Sequence, residues 1–456
     1  MNTTYSQHDE IKRFLKQVCG HIKAKEVHHQ VSMELVSHLH ELIDEKISSG
    51  IDPDSAVREA ISQMGTPDLI GQQFHQAHLP RVDWRLLTLI ALFMMFGLVA
   101  VFAAQTALSN RLGLSSIGFK QVIYFCVGGC LMLMIGFSNY SKLARYSWGI
   151  YIGTILLIIY SFVIAGSTTL GPGLKGYIFW GIFKINIISL SPYLLLISLA
   201  GIWTTQQRSI KYESSYQTLF RVIWIYIGTV LLPSILILYA PSLVDLVLFF
   251  IGSMILLIVL RKNRIFLFTH LSLLAVSLCY FVLRASFHSY QIERILAFTK
   301  QNEDTLGQNY MVMQSKIAIQ SAGWWGHGFG SPINTLPEIH SNMIFSFLIY
   351  CFGWAAGICI FMTVILFVQH ALRITFKVQD HYGKALVSVL LTVFAIQYIW
   401  SMLMSLGLAP LSSFTLPFVS YRGSLVMFQF AAIGLMLSVY RRKDLGSWIN
   451  TSEQSD

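Results

Sequence analysis

Residues 86–108 read LLTLIALFMMFGLVAVFAAQTAL, 23 positions without a charged side chain. A helix needs about 20 apolar residues to cross a hydrocarbon core ~30 Å thick, because its backbone polar groups must be satisfied within the helix. The stretch therefore predicts a membrane span, and it sets the reading of the rest of the chain. Nine further runs of the same kind follow, at 118–137, 146–166, 188–205, 219–239, 243–260, 265–286, 342–369, 383–407 and 424–440. Pro192 weakens the fourth run, and Pro233 sits inside the fifth. The composition agrees: 54% of the 456 residues are hydrophobic and 12% are charged, where a soluble domain carries roughly 25% charged residues.

The cations between the runs alternate. Lys142/Arg145, Arg208/Lys211, Arg261/Lys262/Arg264, Arg373/Lys377/Lys384 and Arg441/Arg442/Lys443 mark one side. The intervening connectors are poorer, with Arg111 and Lys120, Lys175 and Lys184, none near Pro241, and Arg422. By the positive-inside rule the rich side is cytoplasmic, which predicts both termini in the cytoplasm. The net charge of +10 is then a topology signal, and nucleic acid is not an expected partner. One connector on the exterior side, 287–341, exceeds 50 residues and carries Glu293, Arg294, Asp304, Lys316, His327, Glu338 and His340. Long ordered connectors are commonly functional, so chemistry is expected on the outer face.

Residues 1–82 differ from the remainder. Charge and histidine are frequent, and apolar positions such as Ile11, Phe14, Leu15 and Val18, or Ala56, Val57, Ala60, Ile61 and Met64, recur at helical spacing. Gly50 and Gly65 occupy expected helix ends, and Asp52-Pro53 and Thr66-Pro67 expected starts, which predicts three or four short helices. No apolar signal-peptide core lies in the first 80 residues, so this part is expected to stay in the cytoplasm. Eight of the fourteen histidines fall here, among them His28, His29, His38 and His40, and either solvated helix faces or a metal or pH role accounts for them. The six cysteines suggest neither a disulfide framework nor a zinc site. The fold class expected is an all-α, polytopic membrane bundle of about ten helices (83–445) behind a small soluble helical domain (1–82), with a tail at 446–456.

Four patches carry a family resemblance. Glu293-Arg294, Glu303-Asp304-Thr305-Leu306-Gly307, Tyr310 and Gln314-Ser315-Lys316 form the first, and residues 323–330 (GWWGHGFG) the second. Residues 336–345 (LPEIHSNMIF) are the third and 416–424 (LPFVSYRGS) the fourth. In order and spacing they resemble the cell-wall glycosyltransferases of the FtsW/RodA/SpoVE (SEDS) family, whose last two motifs run Leu-Pro-Glu-x-His-Thr-Asp-Phe-Ile-Phe and Leu-Pro-Phe-Ile-Ser-Tyr-Gly-Gly-Ser. The N-terminal stretch more faintly resembles helical prefix domains of bacterial permeases and reads as a docking or regulatory module.

The resemblance implies polymerisation of lipid II by an inverting glycosyltransferase beside a class B penicillin-binding protein, in division or cell-shape maintenance. A sugar hydroxyl attacks the donor's anomeric carbon and polyprenyl pyrophosphate leaves. Such a reaction needs a carboxylate to take the proton, and cations or a divalent metal to hold the leaving group. Asp304, at the position of the family's essential aspartate, is the implied base. Arg294, Lys316 and Lys175 are candidate pyrophosphate contacts, competing with a bland role at lipid headgroups. Glu338 and His340 are candidates for organising the loop or a metal, and Ser420, Tyr421 and Ser424 for shaping the site. The glycines of 323–330 fit either a phosphate cradle or a tight turn. Departures are visible as well: Thr305 replaces a proline, Asn342 and Ser242 replace aspartates, and Tyr350 and Cys351 stand where the family has a Glu pair. The family's Gln-Pro-Ser-Glu glutamate has no clear counterpart. These losses keep two other readings open, a non-catalytic scaffold or regulator and a transporter of lipid-linked precursor.

Overall fold

The structure, a computed structural model, describes residues 8–22, 28–77, 82–108, 116–167, 177–180, 183–212, 216–240, 242–260, 264–286 and 308–443. Contacts divide the chain into two units, Asp83–Tyr440 and a smaller one of Met1–Val82 with Arg441–Asp456.

The smaller unit holds four helices, α1 (Asp9–His21), α2 (His28–Ser48), α3 (Pro53–Met64) and α4 (Pro67–Ala77). Proline opens α3 at its first position, where a missing N–H costs nothing. The apolar faces close on one another around Ile11, Phe14, Val18, Val31, Leu35, Leu39, Ile43, Val57 and Ala60. His28 Nε2 lies 2.8 Å from the Ile22 carbonyl and His21 2.8 Å from Asp68. No group of three metal-ligating side chains occurs among the described residues. A core of its own predicts autonomous folding: a 1–82 fragment should show a helical circular dichroism spectrum and a cooperative melt. Leu39→Ala, a truncation at a fully buried site, should cost about 2–5 kcal/mol, enough to abolish the transition in so small a domain. A random-coil spectrum of the parent fragment would count against it.

Among the described residues the larger unit contains ten long helices that match the ten apolar runs: α5 (Trp84–Ala107), α6 (Ile117–Phe137), α8 (Ser147–Ser167), α9 (Ile187–Tyr212), α10 (Tyr216–Tyr239), α11 (Leu243–Val259), α12 (Arg264–Ser286), α14 (Ile344–Lys377), α15 (His381–Ser405) and α16 (Ser424–Arg441). Among the described residues six are long and apolar enough to cross a membrane, and the described parts of α8, α10, α11 and α12 are shorter apolar helices. Two shorter helices also lie among the described residues, α7 (Ser141–Arg145) and α13 (Gln308–Ser321). The span that proline weakened, α9, is the most enclosed of the six and packs against α8, α11 and α15. Pro192 leaves the Ile188 carbonyl without its helical donor, and the Ser191 hydroxyl donates to that oxygen instead, at 2.8 Å.

Two features depart from the sequence reading. A short antiparallel hairpin, β1 (Tyr177–Trp180) and β2 (Phe183–Asn186), interrupts the all-helical expectation and pairs Tyr177 with Asn186. It feeds α9 directly, since Asn186 Oδ1 accepts from the Ser189 N–H. The connector 287–341 also holds a helix, α13, packed on α14 and α15.

Apolar spans are joined by polar links inside the bundle. The Tyr226 hydroxyl is 2.7 Å from His270 Nδ1, and His270 Nε2 is 3.0 Å from the Phe250 carbonyl and 3.2 Å from Ser253 Oγ, which ties α10, α11 and α12. Both ring nitrogens have partners, so this buried histidine is accounted for by packing. A chain of aromatic contacts, Phe93–Tyr398, Phe394–Phe418 and Phe418–Phe430, runs through the centre and encloses the 416–420 segment.

Candidate functional site

The motif at 416–424 leaves α15 through a buried loop. Its polar backbone groups find partners: the Tyr398 hydroxyl donates to Pro417 O, and the Phe418 N–H donates to Gln429 Oε1. Phe418 sits at φ 61°, a left-handed conformation uncommon for an aromatic residue. Its carbonyl approaches Gly97 so closely that a Cβ there would lie 2.2 Å away.

This seating aims the next three residues at the motif 336–345. The Ser420 hydroxyl donates to Ser341 O at 3.0 Å, the Tyr421 N–H donates to His340 O at 2.9 Å, and Arg422 Nη2 donates to Asn342 Oδ1 at 2.8 Å. Three consecutive residues of one motif thus bond three consecutive residues of the other. Glu338, at φ 51°, starts a turn in which its carbonyl accepts from the Ser341 and Met343 N–H groups. Its carboxylate accepts from the Ser341 hydroxyl and the Asn342 amide. The His340 ring lies 6.1 Å from the Tyr421 ring, and Tyr421 lies 6.3 Å from Tyr124.

Of the sequence-derived candidates, Glu338, His340, Ser420 and Tyr421 come together, and Ser424 is buried as the first residue of α16. Lys316 lies on α13, its Cε against Gly407. Asp304, Arg294 and Lys175 lie outside the described residues.

A buried acid joins the cluster that the sequence reading did not single out. Asp245, 1% exposed, accepts from the Ser242 hydroxyl at 2.5 Å, while its Oδ1 has no partner among the described residues. The charge of Arg422 reaches Asp245. The signal was in the sequence: Ser242 and Asp245 are three residues apart, hence on one helix face, one turn from where the resemblance places an aspartate.

The glycine-rich run is accounted for differently. The His327 and Gly328 N–H groups donate to Tyr350 O and Cys351 O, and the Gly326 N–H donates to Ala322 O. The Trp354 N–H donates back to Gly323 O. The Gly326, His327 and Gly328 amides are thus engaged with backbone, which accords with the tight turn. The facing helix is broken at Gly353 (φ 77°, ψ −179°), and Tyr350 stacks on His327 at 4.3 Å.

Burial holds His340 below the ordinary histidine value of 6.5, with Arg422 adding to the effect and Glu338 opposing it. A base whose folded pKa is depressed contributes stability above its unfolded pKa, and that contribution is lost as pH falls through the folded value. Melting temperature should therefore drop on acidification below about pH 6.5, and His340→Gln should flatten that slope. Identical pH profiles for the two proteins would count against the assignment.

Comparisons with known proteins cover the larger unit. The family model described as a cell cycle protein of the FtsW/RodA/SpoVE type matches residues 83–445. A probable peptidoglycan glycosyltransferase FtsW of Trichlorobacter lovleyi is 25% identical over 372 residues, 79% of this chain and 93% of its own length. The stage V sporulation protein E of Bacillus subtilis is 26% identical over 369 residues, 79% and 97% of the two chains. A chain in the solved structure of a peptidoglycan synthase complex, one that coordinates polymerization and crosslinking, aligns with a TM-score of 0.62 at 21% identity, covering 79% of this chain and 98% of that one.

Proposed function

This chain belongs to the FtsW/RodA/SpoVE family, and from that premise we propose that it is a peptidoglycan glycosyltransferase, a multi-pass membrane polymerase of lipid II serving division or cell shape. The observation that carries the reading is the interlock of residues 340–342 with 420–422, which builds one polar site from two motifs 80 residues apart. In this reading Asp304 takes the proton of the attacking sugar hydroxyl. Arg294, Lys316 and Lys175 contact the pyrophosphate, and Glu338, His340, Ser420, Tyr421 and Ser424 contact or shape the substrate. The partner is a class B penicillin-binding protein, a reading supported by the likeness to a chain of a synthase complex that coordinates polymerization with crosslinking.

In this reading the protein lies in the bacterial cytoplasmic membrane with both termini cytoplasmic and residues 287–341 outside. In a background lacking native cysteines, a cysteine at Ser289 should react with an impermeant maleimide in intact cells and one at Ser452 should not. The opposite pattern would invert the topology. Activity is tested by incubating purified protein with lipid II, with and without its partner, and resolving the products by length. Glycan polymer is the expected product. The amide at Asn342 and the replacement of the Glu pair by Tyr350 and Cys351 favour a second reading, a non-catalytic scaffold. Absence of polymer in every arm would select it.

A further inference from the structure

We infer that Arg422 makes this cluster a phosphate- or diphosphate-binding site that works without a divalent cation. Two departures from the resembling motifs carry the argument: Asn342 stands where the motif has aspartate, and Arg422 where it has glycine. Only the fold shows that these residues touch, at 2.8 Å. An amide for a carboxylate removes one negative charge and a guanidinium for a glycine adds one positive charge, so the pair moves the site by two charges toward the cationic side.

The geometry leaves that charge available. The Asn342 amide donates to Glu338, which turns its oxygen toward Arg422. Arg422 Nη2 also donates to Ser413 O at 3.1 Å. Both partners are neutral oxygens, and no carboxylate among the described residues forms an ion pair with Arg422. The charge of Arg422 reaches Asp245, whose Oδ2 accepts the Ser242 hydroxyl. Arg422 Nε is buried and has no partner among the described residues. A guanidinium whose hydrogen bonds all go to neutral acceptors keeps its charge for an oxyanion.

A metal does not fit the same place. A divalent cation needs converging oxygen ligands, whereas the Asn342 oxygen faces a fixed cation. No set of three His, Cys, Asp or Glu able to hold a metal occurs among the described residues. The glycosyltransferase reading supplies only the identity of the ligand, the diphosphate of a polyprenyl carrier.

The test uses the full chain in phosphatidylcholine nanodiscs with EDTA present, titrated with fluorescent polyprenyl diphosphate. Wild type should bind in EDTA, and Arg422→Gly should weaken binding by about tenfold to a hundredfold. Arg422→Lys should recover part of the loss, having the charge without the fork. Asn342→Asp should weaken binding too, because its carboxylate neutralises the guanidinium. Melting curves are recorded first, and Arg422→Gln replaces the glycine variant if that one is unfolded. Competition by inorganic pyrophosphate would mark recognition of the diphosphate itself, and equal competition by phosphatidylglycerol would mark a general lipid headgroup. In either arm it is the dependence on Arg422 that supports the inference. Binding that is absent, that vanishes in EDTA, or that is unchanged in both Arg422 variants overturns it. Lipid II assays on the same preparations separate the two claims. Polymer made with Arg422-independent affinity sinks the anion site alone, and Arg422-dependent binding without polymer sinks the glycosyltransferase reading alone.

Discussion

Replacing Gly353 by alanine is expected to remove most of the folded protein from a detergent extract. Gly353 has φ 77° and ψ −179°, a backbone region essentially reserved for glycine. A Cβ there would fall 2.0 Å from the Trp324 carbonyl oxygen, a backbone atom that cannot swing aside. Strain of about 1–3 kcal/mol adds to an overpacking cost of about 1–3 kcal/mol. The sum, about 2–6 kcal/mol, can exhaust a total stability at the low end of the typical range of about 5–15 kcal/mol. Gly129→Ala is the control: it lies within α6 with nothing within 4 Å of the added carbon, and its melting temperature should stay within a degree or two of wild type, roughly. If Gly353→Ala melts with the control, the paired backbones of 323–328 and 350–355 do not stabilise the fold.

The second large effect concerns Asp304. If it is the general base, Asp304→Asn should leave expression and membrane insertion intact while polymerisation falls by roughly 10²–10⁴-fold. The amide is nearly isosteric and cannot accept the hydroxyl proton. Glu303→Gln removes a neighbouring charge without touching the proposed base. Equal losses from the two changes would reduce the effect to loop electrostatics, and undiminished polymer from Asp304→Asn would sink the assignment.

The spans were legible because hydrocarbon admits only backbones that bond within themselves, so an unbroken apolar run reads as a helix almost without regard to its neighbours. That is why ten runs and ten helices agree to within a few residues at most ends. The same argument is blind to what happens inside a run. Nothing in the apolarity of 342–369 reveals the break at Gly353, because hydropathy carries no information about φ and ψ. The hairpin at 177–186 and α13 were missed for a related reason: both are short, and their stability comes from neighbours rather than from a periodic face.

The site divided along similar lines. Its two motifs could be recognised singly, yet their docking is a long-range contact that no local pattern encodes. Asn342 looked like a lost acid and Arg422 like a loop cation until they proved to be partners. Asp245 was passed over because the resemblance directed attention to position 242, one helical turn away.

The break in α14 separates two kinds of surroundings. Residues 344–349 are all buried, enclosed by protein on every side. Beyond Gly353 the helix alternates, and Phe361, Met362, Leu366 and Phe376 face outward with at least half their surface open. The part from Trp354 to Lys377 has 24 residues, about 36 Å at 1.5 Å each, which covers the hydrocarbon thickness without help from the segment before it. The spanning rod and the stub that carries Asn342 at its head are separate rods, joined at a residue that continues neither. The direction of the stub before residue 350 is thus set by the protein packed around it, and the backbone bonds between 350–355 and 323–328 hold the span that follows at a fixed angle to it.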